Sequence, residues 1–421
     1  MLNKLKPKSE FSKNVLTLMT GTTIAQAIPI AISPILTRIY TPEDFGIFAL
    51  YLAIVGFISI VITARYEMAI VLPKSDEDAI NILVLALLIT LSLVVLTTLT
   101  IFLFKNEILQ LFNAQAVGNL IFLVPISLLF AGLIQTFNYW SNRKEYFKAM
   151  SSSQIAQSFA IGSMQPLLGY FSINGGLILG NILGRAVTVF VLVDKFVKND
   201  KECLKEINKK SMITQMKKYK DFPLVNSLHA FSDILRSSGS VMLISTFFGT
   251  TVLGFYSLSL RVLQVPIRII GSALGQVLYK KFTTLHNNGE NLYPYVKSVV
   301  VKLFLIAVPS FGLLFFIAPE LFAFVFGEKW RIAGEYSQLL IPYLFMNFLI
   351  SPISHIPIIL EKQKKFFYLN LIANIGMLLI LFWGNIFHYG FTTLLCVISL
   401  FMSSFYIYTL WWFKRILQVS L

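Results

Sequence analysis

The chain has 421 residues, of which 56% are hydrophobic and only 13% charged, and its mean hydropathy is +0.73. So few charges cannot cover the surface of a water-soluble protein of this length, which excludes a soluble enzyme or soluble binding domain. The net charge of +15 would suit nucleic acid. However, the basic residues stand between apolar runs rather than in a tract interleaved with aromatics, so they read as a membrane-topology signal.

A bilayer crossing takes about 20 apolar residues. Lys4 to Lys13 resemble the start of a signal peptide and Ala25-Gln26-Ala27 a cleavage site. The apolar run nevertheless continues through Pro29 to Leu36, so this segment is read as an uncleaved first span, 14–37. Further spans follow at 45–63, 80–104, 117–137, 152–171 and 174–194, the last two separated by a tight turn at Ser172-Ile173-Asn174. After a polar segment come 224–247 and 251–278, divided by Gly249-Thr250, and then 297–317, 336–357, 366–386 and 391–413. The expected fold is an all-α membrane protein with about twelve transmembrane helices.

The loops test that count. On one side lie the lysines of 4–13, Arg65, Lys74, Arg143, Lys144 and Lys148, the lysines of 195–220, Lys280, Lys281, Lys297, Lys302, the lysines of 362–365, Lys414 and Arg415. The other side has only Arg38, Lys105, Lys329 and Arg331. The asymmetry predicts that both termini are cytoplasmic. The longest polar segment, 195–222, divides the chain into residues 1–194 and 223–421, each with six spans. Its last part carries Met212, Met216 and Tyr219 at helical spacing with Lys217, Lys218 and Lys220 alongside. That pattern predicts an amphipathic helix lying in the membrane interface.

The two halves also share sequence. Residues 35–50 can be laid without gaps over 243–258, so that Gly46 meets Gly254, Phe48 meets Tyr256 and Leu50 meets Leu258. Two six-helix bundles that both begin and end on the same side would be parallel repeats about a pseudo-twofold axis along the membrane normal.

Four arginines fall inside spans: Arg185, Arg236, Arg261 and Arg268. An uncompensated arginine at a helix centre costs about 2.5–3.5 kcal/mol, so these side chains are not expected to face lipid. Arg261 and Arg268 are seven residues apart and share a helix face with Gln264. They predict a cationic cavity that accepts an anionic group, phosphate above all, because a guanidinium fork matches its oxygens. Asp233 is the one acidic residue well inside any span and is the candidate coupling group or charge partner of Arg236. Internal pairing and snorkelling of Arg268 to the interface are the structural alternatives.

The scarcity of buried carboxylates argues against a cation-coupled drug exporter. Cys203 and Cys396 have no metal-ligand or disulfide spacing, and His229 and His355 read as core histidines. No Walker A loop, catalytic constellation, metal site or cofactor motif is found. The longest loop opposite the basic side, 318–335, is too short for a soluble catalytic domain, which argues against a polymerase or ligase.

Thr37 to Gly46, Arg65 to Pro73, Asn138 to Lys144, Lys218 to Pro223, Gly254-Phe255-Tyr256 and Arg261 to Pro266 together resemble, in order, the Wzx-type O-antigen and polysaccharide flippases. The resemblance implies the fold of the multidrug/oligosaccharidyl-lipid/polysaccharide exporter superfamily, two six-helix bundles about a central cavity. It also implies flipping of an undecaprenyl-pyrophosphate-linked oligosaccharide across the bacterial inner membrane, for O-antigen or for capsular or exopolysaccharide synthesis. The partners it implies are that lipid-linked substrate, membrane lipids and other membrane proteins of polysaccharide assembly.

Overall fold

The computed structural model describes residues 10–223 and 227–419, with side chains over 17–223, 231, 234–271, 274–275 and 277–418. The described residues form helices and connecting turns. In chain order these are α1 (Glu10–Ile39), α2 (Pro42–Ser59), α3 (Asp76–Leu111), α4 (Val124–Arg143), α5 (Phe147–Tyr170), α6 (Gly176–Asp200) and α7 (Lys209–Lys218). They continue with α8 (Ser227–Asn287), α9 (Leu292–Phe326), α10 (Arg331–Ile350), α11 (Ile356–Ile359), α12 (Gln363–Ile386) and α13 (Phe391–Val419).

Local chemistry sets the helix ends. At the start of α2, Thr41 Oγ1 accepts from the amide of Asp44 at 3.2 Å while Asp44 Oδ2 accepts from the amide of Thr41 at 2.8 Å. This is a reciprocal capping box with Pro42 in the first turn, where its missing N–H costs nothing. Ser75 caps α3 through the amide of Asp78, and Asp76, Glu77 and Asp78 complement the positive end of the helix dipole. Gly249 has φ 85°, a conformation open to glycine, and it breaks α8 into two arms where the sequence places the gap between two spans.

Ten helical stretches among the described residues have the length and apolar character of a membrane span. Hydropathy merges the two arms of α8 into one of these, Ile234–Gly271, and passes over α5. The polar residues that dilute α5 bond its neighbours. Thr22 Oγ1 donates to Gln154 Oε1 at 2.8 Å, and Gln165 Nε2 donates to the Leu177 carbonyl at 2.8 Å. Separating the arms and adding α5 gives an all-α membrane fold of about twelve transmembrane helices. Large side chains stand bare on its flanks, among them Phe102 at 74%, Phe316 at 76% and Phe324 at 84% exposure. Such exposure suits lipid and not water.

The loop expected at 318–335 is shorter than its sequence suggests. Helix α9 runs through Pro319 to Phe326 and α10 begins at Arg331, which leaves Gly327 and a single 3-10 turn between them. Glu320 and Glu328 pair there with Arg331 on the surface.

Packing divides the chain into two units, Met1–Tyr40 with Ile47–Met242, and Thr41–Gly46 with Leu243–Leu421. The first has a core of Tyr66, Ile70, Ile80, Leu83, Phe137, Trp140, Leu192 and Phe196. Helix α7 belongs to this unit. Met212 and Tyr219 pack on that core, whereas Ile213 and Met216 are 41% and 38% exposed. The second unit centres on Phe282, Leu285, Val296, Ile350, Trp412 and Phe413.

Within the second unit the two glycines matched in the sequence repeat meet. A Cβ on Gly46 would lie 1.8 Å from the Thr250 carbonyl oxygen, and a Cβ on Gly254 would lie 1.7 Å from the Pro42 carbonyl oxygen. Pro42 falls on Thr250 in the same gapless alignment, so the contact is reciprocal. Phe45 and Phe255 both pack edge-on against the buried Trp330, at centroid distances of 5.0 and 5.8 Å.

Candidate functional site

The intramembrane arginines differ in what surrounds them. In the first unit, Arg185 on α6 is half-buried and its Nε donates to Asn181 Oδ1 at 3.1 Å, one turn back. In the same unit the fully buried Tyr51 bonds Ser127 Oγ through its hydroxyl at 2.7 Å. Arg236, on the first arm of α8, is half-buried; its carbonyl accepts from Ser240 Oγ at 2.6 Å, and its side chain makes no hydrogen bond or ion pair with another described residue. The Asp233 side chain lies outside the described residues, and the expected pair with it.

The second unit holds the other two. Arg268 is exposed, and its Nη2 donates to Gln264 Oε1 at 3.0 Å. Arg261, seven residues earlier, is half-buried, and its side chain makes no hydrogen bond or ion pair with a described residue. The structure thus joins Gln264 to Arg268 and Asn181 to Arg185, and leaves the Arg261 side chain without a partner among the described residues. A guanidinium held in an apolar segment without an internal anion has five donors available for an external one.

The first unit also contains an apolar cavity of about 340 Å³, walled among others by Phe57, Leu96, Ile108, Phe112 and Met242. Its lining would accept a hydrocarbon chain rather than a sugar.

Sequence reasoning missed a polar knot at one end of the first unit. Arg143 closes α4 and reaches back to the 65–76 segment. Its Nε donates to Asp76 Oδ1 at 3.0 Å, and its Nη1 donates to the carbonyls of Pro73 at 2.6 Å and Ile70 at 3.3 Å. Lys144 shares Asp76 and lies 3.6 Å from Asp200, which accepts from Trp140 Nε1 at 3.0 Å. Tyr66 donates to the Met216 carbonyl at 3.0 Å, and Gln215 Nε2 to Asp78 at 2.6 Å, docking α7. The family-like stretches 65–73, 138–144 and 218–223 therefore meet in one place. The adjacent basic pair and the acidic run Asp76-Glu77-Asp78 were the available signal, but nothing local says that they touch.

Beside this knot, Glu67 is 1% exposed, with Thr63 donating to its carboxylate and Arg65 Nη1 3.7 Å away. Burial pushes its pKa above the ordinary glutamate value, against the opposing pull of Thr63 and Arg65. No group of three or more metal-ligating side chains occurs among the described residues.

Comparison with known proteins fits this geometry. Residues 35–334 match the model of the family described as polysaccharide biosynthesis protein. The chain is 23% identical over 319 residues to the succinoglycan biosynthesis transport protein ExoT of Rhizobium meliloti (strain 1021), covering 73% of this chain. It spans only 60% of the length of that relative. Among solved structures, the lipid II flippase MurJ in an inward closed conformation superposes with a TM-score of 0.74 at 14% identity, covering 96% of this chain and 90% of that one. An inward-facing multidrug resistance MATE family transporter of the MOP superfamily gives 0.70 at 16% identity, covering 94% and 95%. At these identities the superpositions show a shared fold. The family match takes in every intramembrane arginine and the polar knot, and by it this protein belongs to the polysaccharide biosynthesis protein family.

Proposed function

We propose that this protein is a flippase for a lipid-linked oligosaccharide, carried on undecaprenyl pyrophosphate, which it moves across the bacterial inner membrane by alternating access. The product would feed O-antigen, capsular or exopolysaccharide synthesis, and both termini would lie in the cytoplasm. The observation that carries this reading is the unpaired Arg261. A cation without an internal counter-ion in an apolar helix suits a ligand that brings its own negative charge, and pyrophosphate does so. In the same unit Arg268 and Gln264 supply further donors, and in the first unit Arg185 and Arg236 are further candidate substrate contacts, with an apolar cavity of about 340 Å³ that would take part of a polyprenyl tail. The family, and a relative named as a succinoglycan transport protein, support a polysaccharide cargo. Transport needs no bond chemistry from the chain, and an assembly enzyme such as a polymerase or ligase has no catalytic constellation to rest on. The fold is shared with multidrug transporters, but the scarcity of carboxylates in the spans weighs against a cationic drug.

The test is surface polysaccharide at matched membrane expression. Arg261→Ala and Arg236→Ala should each cut it by about tenfold or more, because a charge-assisted bond is worth about 1.5–3 kcal/mol. Arg261→Lys should recover little if the fork geometry matters. Lys209→Ala, exposed at the start of α7, should leave export intact. Full activity in both arginine variants would remove the anionic site and with it the proposed substrate.

A further inference from the structure

The second unit contains a cavity of about 680 Å³ at the end that bears the basic loops. Its wall draws on three separate stretches of chain. His286 comes from the end of α8, Lys362 and Lys365 from the start of α12, and Trp412 and Arg415 from the last turns of α13. Glu361, held at φ 54°, is the only carboxylate among the described residues of the wall, and it forms no ion pair with these cations. The Lys365 ammonium sits 5.4 Å from the centre of the Trp412 ring, and Trp412 is 2% exposed. Phe366 stacks on the other part of that wall at 6.3 Å and 15°. The aromatic packing thus fixes where one lysine stands.

Three permanent cations and a histidine facing one cavity with a single acid leave a positive surplus that an anion would neutralise. Two ammonium groups, a guanidinium fork and a ring N–H that histidine offers in either protonation state are donors suited to phosphate oxygens. The volume exceeds what a bare phosphate fills and lies in the range of organic-ligand sites. Ile359, Leu360 and Ile416 complete the wall with apolar surface. Basic pockets between membrane helices at the cytoplasmic face are a recurrent way of holding anionic lipid headgroups.

We propose that this cavity is a binding site for a phosphate-bearing anion of headgroup size, a glycerophospholipid headgroup or the free glycerol phosphate that shares its chemistry. It is separate from the intramembrane arginines, and occupancy would tie the ends of α8, α12 and α13 together.

The experiment is native mass spectrometry of the full chain in detergent, titrated with phosphatidylglycerol or phosphatidylcholine. Phosphatidylglycerol should bind at least about tenfold more tightly. Lys365→Gln with Arg415→Gln should abolish that preference. Lys365→Arg with Arg415→Lys, which keeps both charges and guards against misfolding, should retain most of it. Lys364→Gln, exposed beside the cavity but outside its wall, should change nothing. Displacement of the lipid by millimolar glycerol phosphate would assign the site to the headgroup alone. Retention would assign it to the whole lipid. Equal binding of the two lipids by the unaltered chain, or an unchanged preference in the double glutamine variant, would overturn the proposal. Because the readout is lipid binding and not export, its failure is distinct from failure of the flippase reading.

Discussion

Gly254→Ala should be one of the most damaging single-methyl changes in the second unit. The new Cβ would sit 1.7 Å from the Pro42 carbonyl oxygen and 2.6 Å from its carbon. Ordinary contact begins near 3.4 Å, so the start of α2 must retreat by about 1.7 Å, the difference between the two. The struck atoms are backbone, and Pro42 is held by the capping box of Thr41 and Asp44. No side-chain rotamer can absorb the shift, so the cost should lie at the upper end of the overpacking range, about 3 kcal/mol. Gly46→Ala meets Thr250 at 1.8 Å in the same crossing and should cost a similar amount. One separation of the two segments relieves both clashes. The double variant should therefore cost about 3 kcal/mol and not about 6, a coupling of about 3 kcal/mol. Thermal unfolding in detergent, followed by size-exclusion chromatography, reads all three. Gly312→Ala, with nothing within 4 Å, is the control and should be neutral or slightly stabilising. A Gly254→Ala protein that melts with the unaltered chain, or a double variant whose loss equals the sum of the singles, would refute the reciprocal crossing.

Three further outcomes are expected. Arg143→Ala should cost about 2–3 kcal/mol, because it leaves the carbonyls of Ile70 and Pro73 without their donor and strips one cation from half-exposed Asp76. Arg143→Lys should rescue little, since one ammonium cannot span those three acceptors, and limited proteolysis within 65–73 should report the loosening. Glu67 binds its proton more tightly folded than unfolded, so its contribution should fall as pH rises from about 4.5, the ordinary glutamate value, through its raised folded pKa. Glu67→Gln should remove that decline, and parallel melting curves for the two proteins across this window would contradict the burial. Finally, reporters fused after Lys209 and after Leu421 should both read cytoplasmic, because nearly all loop lysines and arginines lie on that side. A periplasmic signal at either point would break the twelve-span topology.

Much of this molecule is legible one segment at a time. Span number, the break at Gly249 and the matching of Gly46 with Gly254 depend on hydropathy, turn chemistry and self-similarity, which are local properties of the chain. The intramembrane arginines could be found because each is costly wherever it sits in an apolar run. Which of them are paired could not be read. The i to i+4 spacings of Gln264 with Arg268 and of Asn181 with Arg185 allow a bond, but whether each side chain takes it depends on what packs around it. The span at 152–171 is legible, but what Gln154 and Gln165 bond to on α1 and α6 is not. Arg143 meets Asp76, Glu67 is buried, and His286, Lys365 and Arg415 share one cavity only because packing joins stretches far apart in sequence. Periodicity and capping act within a few turns of helix and so settle the elements. The partner of a buried charge is settled by whichever surfaces close around it, and those surfaces exist only in the tertiary structure.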